Sequence, residues 1–525
     1  MRKLPNLPDG PACKTRAQAA FAGYDHRPSC SEGGIYEMEN LSCADAPLLA
    51  TRPGRTRRWP ASDPGGIFAS SGGLLWTDGT RLYHDGAAVA TVSAGEKRFA
   101  ELNGTVLLWP DLIGYVPATR AVFDAAPAYT GPVTLTDGMD ANGLPAAANT
   151  LTAGDDLRGT FRKGDAVTLS GLPGEGNNGT FIIRGFSADG RSLLFYEDTF
   201  TLPEGAVTAE AATVQRCIPQ LDAVCAFGNR LWGCAGDTVY CTKLGDPLGW
   251  YWYESDADGP VATAAWSVDT GSPGDFTGCA ALRGSVVFTK PDGLYKLYGT
   301  KPENFELIAS ARTGAAAGSG ASLAMAGETL FYLAPTGVMA TAGGTPVRVG
   351  EKLGRALRGG VAGSDGVRYY LSARSDDGAH LFVYDARTGL WSREDNFAAA
   401  GFALYDGVLY ALGAGGVWQL GTGDVTALRS LLETGDYYSA SPNQKRLLAV
   451  LLRIEAAPGT LLTLSVQYDS DGVWRDAGAF RARAKCTVTL PLVPRRCDHF
   501  RLRLQGVGAW RLLGIARREE ATPTA

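Results

Sequence analysis

AFGNRLWGCAGDTVYCT, residues 226–242, puts a glycine at a tight turn, follows it with an apolar strand centred on Leu231-Trp232, and adds a second apolar strand, DTVYCT. The phrase recurs seven times along the chain. Its glycines are Gly72, Gly104, Gly228, Gly284, Gly327, Gly366 and Gly407. Three and four positions beyond each stand Leu75-Trp76, Leu107-Leu108, Leu231-Trp232, Val287-Phe288, Leu330-Phe331, Tyr369-Tyr370 and Tyr410-Ala411. The partner strands are RLYHDG, IGYVPA, DTVYCT, GLYKLY, GVMATA, LFVYDA and GVWQLG. Steps between the glycines are 32, 124, 56, 43, 39 and 41 residues. A period near forty, with two clear strands and two weaker ones per unit, is the sequence signature of β-propeller blades. The sequence therefore predicts an all-β chain built on a β-propeller. Seven repeats are visible, and six to eight blades stay open because the chain ends can share a blade.

The 525 residues include 68 Gly and 28 Pro, enough length for two to four domains and a composition suited to short strands and tight turns. A net charge of −5 supplies no basic field of the kind that marks a nucleic-acid-binding protein. The opening MRKLPNLPDG has no apolar stretch, and no run approaches the roughly 18 apolar residues of a membrane span. The expectation is a chain neither exported by the general route nor spanning a membrane. Ten cysteines, at 13, 30, 43, 217, 225, 234, 241, 279, 486 and 497, contain no CxxC and read as buried thiols rather than a disulfide framework. Cys225, Cys234 and Cys241 fall in neighbouring strands of one repeat. None of the histidines (26, 84, 380, 499) lies near them in sequence, so no metal or other cofactor is expected.

Residues 1–60 are irregular and read as an extended N-terminal arm. The arm ends in Arg52, Arg55, Arg57 and Arg58. These are either pinned to acidic neighbours or offered to nucleic acid, and the first reading is the plainer one. The propeller is expected at 61–121 and 215–430. The long step from Gly104 to Gly228 carries an insertion at 122–214, whose stretch FRKGDAVTLSGLPGEGNNGTFIIRGF alternates apolar and polar residues between Gly and Asn turns. That pattern predicts a small antiparallel β-barrel of four to six strands, and an insertion of this size usually presents an interaction surface. After GVWQLG the period stops. Residues 431–519 have longer strands, and Arg501 and Arg503 alternate with Leu502 and Leu504, which predicts a C-terminal antiparallel β-sandwich. Residues 520–525 are expected to form a loose tail.

Few segments carry recognisable chemistry. DADG (256–259) and DSDG (469–472) lack the further ligands of a calcium loop and read as hairpin turns. GLPGEGNNG has no lysine at the P-loop position, and neither GxSxG nor HExxH occurs. An enzyme is not expected, although a pair of carboxylates on a propeller face would suffice for a glycosidase. The quartet Trp250, Tyr251, Trp252 and Tyr253 stands out. In a strand its members alternate, two inward and two outward, so Trp250 and Trp252 become candidate contact residues. Outward rings stack on sugars or anchor a partner, whereas the plain reading has the aromatics seal neighbouring blades.

Four segments together resemble the tail nozzle proteins of short-tailed bacteriophages, also called tail tubular or packaged-DNA stabilisation proteins. The first is GGIYEMENLSCADAPLLATRPGRTR, with Gly33, Gly34, Asn40, Arg52, Pro53 and Gly54 at the positions of the family's N-terminal arm motif. The second is YCTKLGDPLGWYWYES, with the turn Gly245, Asp246, Pro247 and the following Trp250. The inserted segment around FRKGDAVTLS and the closing GVGAWRLLGIARREE are the third and fourth. The resemblance implies a structural protein of the virion, made in the host bacterial cytoplasm. It also implies a closed ring, usually of six copies, beneath a portal and adaptor ring. Such a ring continues the DNA-ejection channel and docks fibres or a tail needle, and the DNA passes without sequence-specific binding. A mildly acidic chain suits a conduit that must not hold DNA, so its channel surface is expected to be poor in Lys and Arg.

Two other readings remain open on the sequence. A tail-tip propeller that recognises cell-surface glycans would need an exposed aromatic shelf near Trp250 to Tyr253. A propeller glycosidase would need two carboxylates in a concave face.

Overall fold

The computed structural model describes residues 13–137, 148–174, 176–196, 199–202, 206–253, 255–256, 259–438, 444–482 and 484–521. Apart from three single-turn 3₁₀ segments, all regular structure among the described residues is β-strand. No helix among them is long and apolar enough to cross a membrane. The chain divides into two compact units. One comprises Ser62–Gly320 and Ala342–Thr345, the other Met1–Ala61, Ala321–Thr341 and Pro346–Ala525.

Among the described residues, seven four-stranded antiparallel sheets, each a meander, recur along the chain. In the unit built on 62–320 they span 64–91, 98–124, 223–269 and 278–311. In the other unit they span 324–348, 358–395 and 399–423, the last completed by the N-terminal strand Gly54–Trp59. The glycines seen in the sequence sit at the turn between the first two strands of a meander. At Asn103-Gly104, Gly228-Asn229, Arg283-Gly284 and Asp406-Gly407 both turn residues have positive φ, the backbone that two-residue hairpins of right-handed twist require. Each meander buries its second strand most deeply. Leu107, Leu231, Val287, Leu330 and Leu371 are almost completely removed from water.

Within each unit, successive meanders pack through their apolar faces. Leu75, Leu82, Phe99, Val106 and Tyr115 join the first two, and Trp232, Cys234, Val239, Val286 and Phe288 join the third and fourth. Phe331, Leu333, Tyr369, Leu371 and Phe382 belong to the core of the other unit. In the second meander Lys97 is fully enclosed and its ammonium lies 2.7 Å from the Asp111 carboxylate. Burial pushes the Asp111 carboxyl up, but Lys97 and the Ser93 amide outweigh it and hold the group below its ordinary 3.8.

The insertion is one seven-stranded antiparallel sheet, a half-barrel running from Ala128–Thr136 to Ala206–Arg216. It therefore has more strands than the four to six expected. It also starts later, because Ala121–Asp124 is the fourth strand of the second meander. Its concave core holds Val133, Leu135, Leu151, Phe161, Val167, Leu169, Phe195 and Phe200. Its other face carries paired hydroxyls across the strands, Thr130 with Thr213, Thr134 with Thr208 and Thr136 with Thr150.

Two further sheets face each other at the C-terminal end. The five-stranded sheet runs in the order Ile35–Glu39, Arg429–Thr434, Phe500–Val507, Leu461–Tyr468, Arg475–Arg481. The seven-stranded sheet is centred on Lys445–Ala456 and Trp510–Ala521. Leu432, Val450, Leu452, Leu464, Leu502, Leu504 and Leu512 fill the space between them. Arg501 and Arg503 point the other way, onto Asp436 and Glu433. The residues read as an arm are not a separate element. Cys13–Gln18, Leu41–Ser42 and Leu49–Thr51 lie in the seven-stranded sheet, Ile35–Glu39 in the five-stranded one, and Gly54–Trp59 in the seventh meander. The tail begins later than expected too, because the last strand runs through Glu520 to Ala521, and 522–525 lie outside the described residues.

Leu504→Ala is expected to cost about 2–5 kcal/mol of stability, the range for a leucine truncated in a closed core, read from urea unfolding. The depressed Asp111 carboxyl contributes stability that is present above pH 3.8 and lost as pH falls through its lower folded value. The stability gap between wild type and Asp111→Asn should therefore shrink on acidification below that pH; a gap independent of pH would count against the pair.

Candidate functional site

The four arm arginines divide into two pairs. Arg52 is buried. Its Nε donates to Asn40 Oδ1 at 2.8 Å, one Nη to the Pro53 carbonyl at 2.9 Å and the other to Asp395 at 3.2 Å. Arg55 donates to Glu394 at 2.6 Å, pairs with Asp395 at 2.9 Å and stacks over the Phe397 ring. Burial lowers the Arg52 guanidinium from its ordinary value. At Arg55 burial acts the same way, but the two carboxylates outweigh it and the net shift is upward. Asn40 takes the left-handed backbone that asparagine tolerates, and its amide also donates to the Arg429 carbonyl. Gly54 has no room for a side chain, since a Cβ there would lie 2.5 Å from the backbone of Gly423 and Asp424. Arg57 and Arg58 are exposed, Arg58 lying over the Trp59 ring. Arg52 and Arg55 thus hold the chain's N-terminal segment and are not available to an outside partner.

The aromatic quartet is placed differently from the expectation. Trp250 is completely buried, edge-on to Trp109 at 6.0 Å, in a core with Leu102, Leu107, Leu221 and Leu231. It is a packing residue and cannot be a contact residue. Trp252 is half-buried; Lys243 lies 3.5 Å above its ring, and its edge fills the space beside Gly164 of the insertion. Tyr251 is half-buried like Trp252 and packs against the same core as Trp250, and Tyr253 is the exposed member of the quartet. Tyr251 and Tyr253 meet at 6.4 Å, Tyr240 meets Tyr251 at 6.2 Å, and Tyr253 is 42% exposed. The turn before the quartet fixes this arrangement. Asn103 donates to the Gly245 carbonyl at 2.7 Å, and Asp246 receives Arg162 of the insertion at 3.2 Å.

The tyrosines border a cleft of about 580 Å³ between the foot of the insertion and the second and third meanders. Thr168, Thr180, Gln215, Arg216 and Cys217 line it from the insertion, and Leu112, Ala126, Ala235, Tyr240 and Tyr251 line it opposite. Its charged residue, Arg216, is internally satisfied by Asp165 at 2.7 Å and the Thr160 carbonyl at 2.7 Å. Gln215 and Gln220 belong to no motif, and nothing in the sequence marked them.

The remaining candidates have structural duties. In GLPGEGNNG, Asn177 and Asn178 bond the backbone of their own and a neighbouring loop. DSDG forms a hairpin turn, with Asp469 and Ser470 at positive φ, and Asp469, Asp498 and His499 converge beside it. Asp469 accepts from the Asp498 amide at 2.8 Å, and Ser470 bonds His499 at 2.8 Å. Gly259 of DADG lies in a two-stranded ladder, and 257–258 fall outside the described residues. Cys225 and Cys234 meet Cys279 of the next meander rather than Cys241, and these contacts together with burial push the Cys279 thiol up. Burial pushes Cys241 up to about 12, whereas Cys13 is exposed.

No family model and no curated protein matches this chain. Among solved structures it is similar to the extracellular domain of a hybrid two-component system of B. thetaiotaomicron, at 10% identity and a TM-score of 0.39 over 89% of this chain. The chain spans 62% of that structure's length. PorZ, a surface component of the type-IX secretion system of Porphyromonas gingivalis, is similar at 12% identity and a TM-score of 0.25, covering 87% of this chain and 71% of its own. Phage phi92 endosialidase is similar at 9% identity and a TM-score of 0.24, covering 82% and 74%. Likeness at this level assigns no function.

Arg55→Met is expected to destabilise the protein by about 1–3 kcal/mol, because it leaves two half-buried carboxylates with Arg52 as their remaining cation. Arg57→Ala and Arg58→Ala, at exposed positions, should each stay within about 0.5 kcal/mol. Urea midpoints of the three variants separate these cases.

Proposed function

We propose that the chain is a structural protein of the phage virion, a tail nozzle or hub. Its copies close into a ring, usually of six, beneath a portal and head-to-tail adaptor, and continue the channel through which DNA leaves the capsid. In this reading the seven meanders are the blades of one β-propeller, with Gly54–Trp59 as the fourth strand of the seventh blade.

The observation that carries the proposal is where the resemblance-bearing residues lie. Asn40 and Arg52 anchor the N-terminal segment to Asp395 and Arg429. Gly54 admits the strand that completes the seventh meander. Gly245 and Asp246 dock on Asn103 and Arg162. Trp510–Ala521 runs through the middle of a C-terminal sheet. All four are joints of the architecture, and none frames a reaction centre. A chain whose distinguishing residues are joints is a scaffold, so we assign it no catalysis and no cofactor. Arg52 and Arg55 are taken up inside the fold, which suits a conduit past which DNA slides. The half-barrel, with its hydroxyl-bearing outer face, is the element offered to fibres or a tail needle.

Purified protein, weighed in solution and imaged by electron microscopy, alone and with its adaptor, is expected to give closed rings with a hole wide enough for duplex DNA. A chain that stays monomeric even on the adaptor would overturn the proposal.

A further inference from the structure

We propose that the cleft at the foot of the insertion, between Tyr240, Tyr251 and Gln215, is a binding site for a neutral saccharide. This inference does not rest on ring assembly, because every lining residue belongs to one compact unit of a single chain.

The cleft's volume of about 580 Å³ lies within the roughly 300–1,000 Å³ typical of small-molecule sites. Its chemistry is selective. None of the described lining residues is a carboxylate, and the guanidinium of Arg216 is already held by Asp165 and Thr160. A charged ligand would therefore find no opposite charge to replace its hydration, so the site favours an uncharged one. Glycoside cleavage needs a pair of carboxylates, so a sugar in this cleft would be held and not hydrolysed.

The polar groups that face the cleft are of the kind that sugar hydroxyls match. The Gln215 amide makes no hydrogen bond among the described residues, and it can both donate and accept. Gln220 donates to the Pro110 carbonyl at 3.2 Å, which leaves its own carbonyl oxygen for a ligand hydroxyl. Thr168 bonds Thr180 at 3.1 Å and Cys217 at 2.9 Å, so its hydroxyl is already oriented. Opposite lie the rings of Tyr240 and Tyr251, edge to face, with Tyr253 beyond them and its hydroxyl fixed on Ser267 at 2.8 Å. Tyrosine offers an apolar face to sugar C–H groups and a hydroxyl to sugar oxygens. Desolvation raises the Tyr251 and Tyr253 phenols, so both remain protonated donors. A mere packing fault would be lined by apolar side chains. This cleft combines aromatic faces with amide and hydroxyl groups.

The full chain, screened on a defined array of neutral, sialylated and sulfated oligosaccharides and then titrated with its best neutral glycan, provides the test. Binding to neutral glycans is expected, weakened about tenfold or more by Tyr251→Ala and by Gln215→Ala, with each loss amounting to one hydrogen bond or stacking contact. Tyr298→Ala, at an exposed tyrosine on another meander, should leave affinity unchanged. Gln215 is exposed, so its variant remains informative if Tyr251→Ala fails to fold. Absence of binding to every neutral glycan would overturn the proposal. So would binding to anionic glycans alone, binding of peptide segments in their place, or affinity that survives both substitutions.

Discussion

Two enclosed guanidinium groups and two half-buried carboxylates stand where the N-terminal segment enters the seventh meander. Charges in such a place are tolerable only when each has its partner in good geometry. Arg52 and Arg55 meet Glu394 and Asp395 directly while Asn40 accepts from Arg52, and no shifted register of the segment would preserve those contacts. The group therefore contributes specificity more than stability. It fixes where Gly54–Trp59 can run, and that strand in turn supplies the fourth, outer strand of the seventh meander. Upstream of the same group the chain passes through both C-terminal sheets, so their pairing inherits the same registration.

The insertion is fixed by a comparable device on the other unit. Arg162 reaches Asp246, Trp252 closes over Gly164, and Arg216 ties the last strand of the half-barrel to Asp165 and Thr160 at its base. Arg162 and Trp252 join the module to its host, Arg216 braces its base from within, and the cleft lies along the seam. Rigid walls on both sides are what a site needs if its few polar groups are to keep their spacing. The structural role proposed for the whole chain and the binding role proposed for the cleft thus draw on the same joint.

Much of the fold could be read from the sequence because hairpin turns are local. Asn103-Gly104 and Asp406-Gly407 announce a positive-φ turn to any reader of two residues, and the apolar strand behind each is equally plain. The outer strands of the meanders were faint. Ala121–Asp124 and Val347–Arg348 are short and largely exposed, and they carry no period. Long-range assignments were not legible at all. The arm looked separate because its partners, Glu394 and the strand Gly416–Gly423, lie more than three hundred residues away. The aromatic quartet was visible as a feature, but its alternation could not say which pair faced inward. Trp250 went in because the space beside Trp109 takes a large ring, and only Tyr253 of the four is left exposed. Gln215 and Gln220 gave no signal, since one exposed amide resembles any other until the opposite wall of the cleft is known.

The completion of the seventh meander by Gly54–Trp59 has a consequence for synthesis. That strand leaves the ribosome well ahead of its partner, which is made only after some three hundred and fifty further residues have followed. Throughout that interval the early segment has no template, and the late meander, once made, has an unfilled edge until the segment returns. Contacts of such sequence separation form slowly, because the closing of so long a loop must precede any gain from pairing. The repeats between can fold as they emerge, while the two strands wait for one another, and that interval is when this chain is most open to pairing with a neighbour in place of itself.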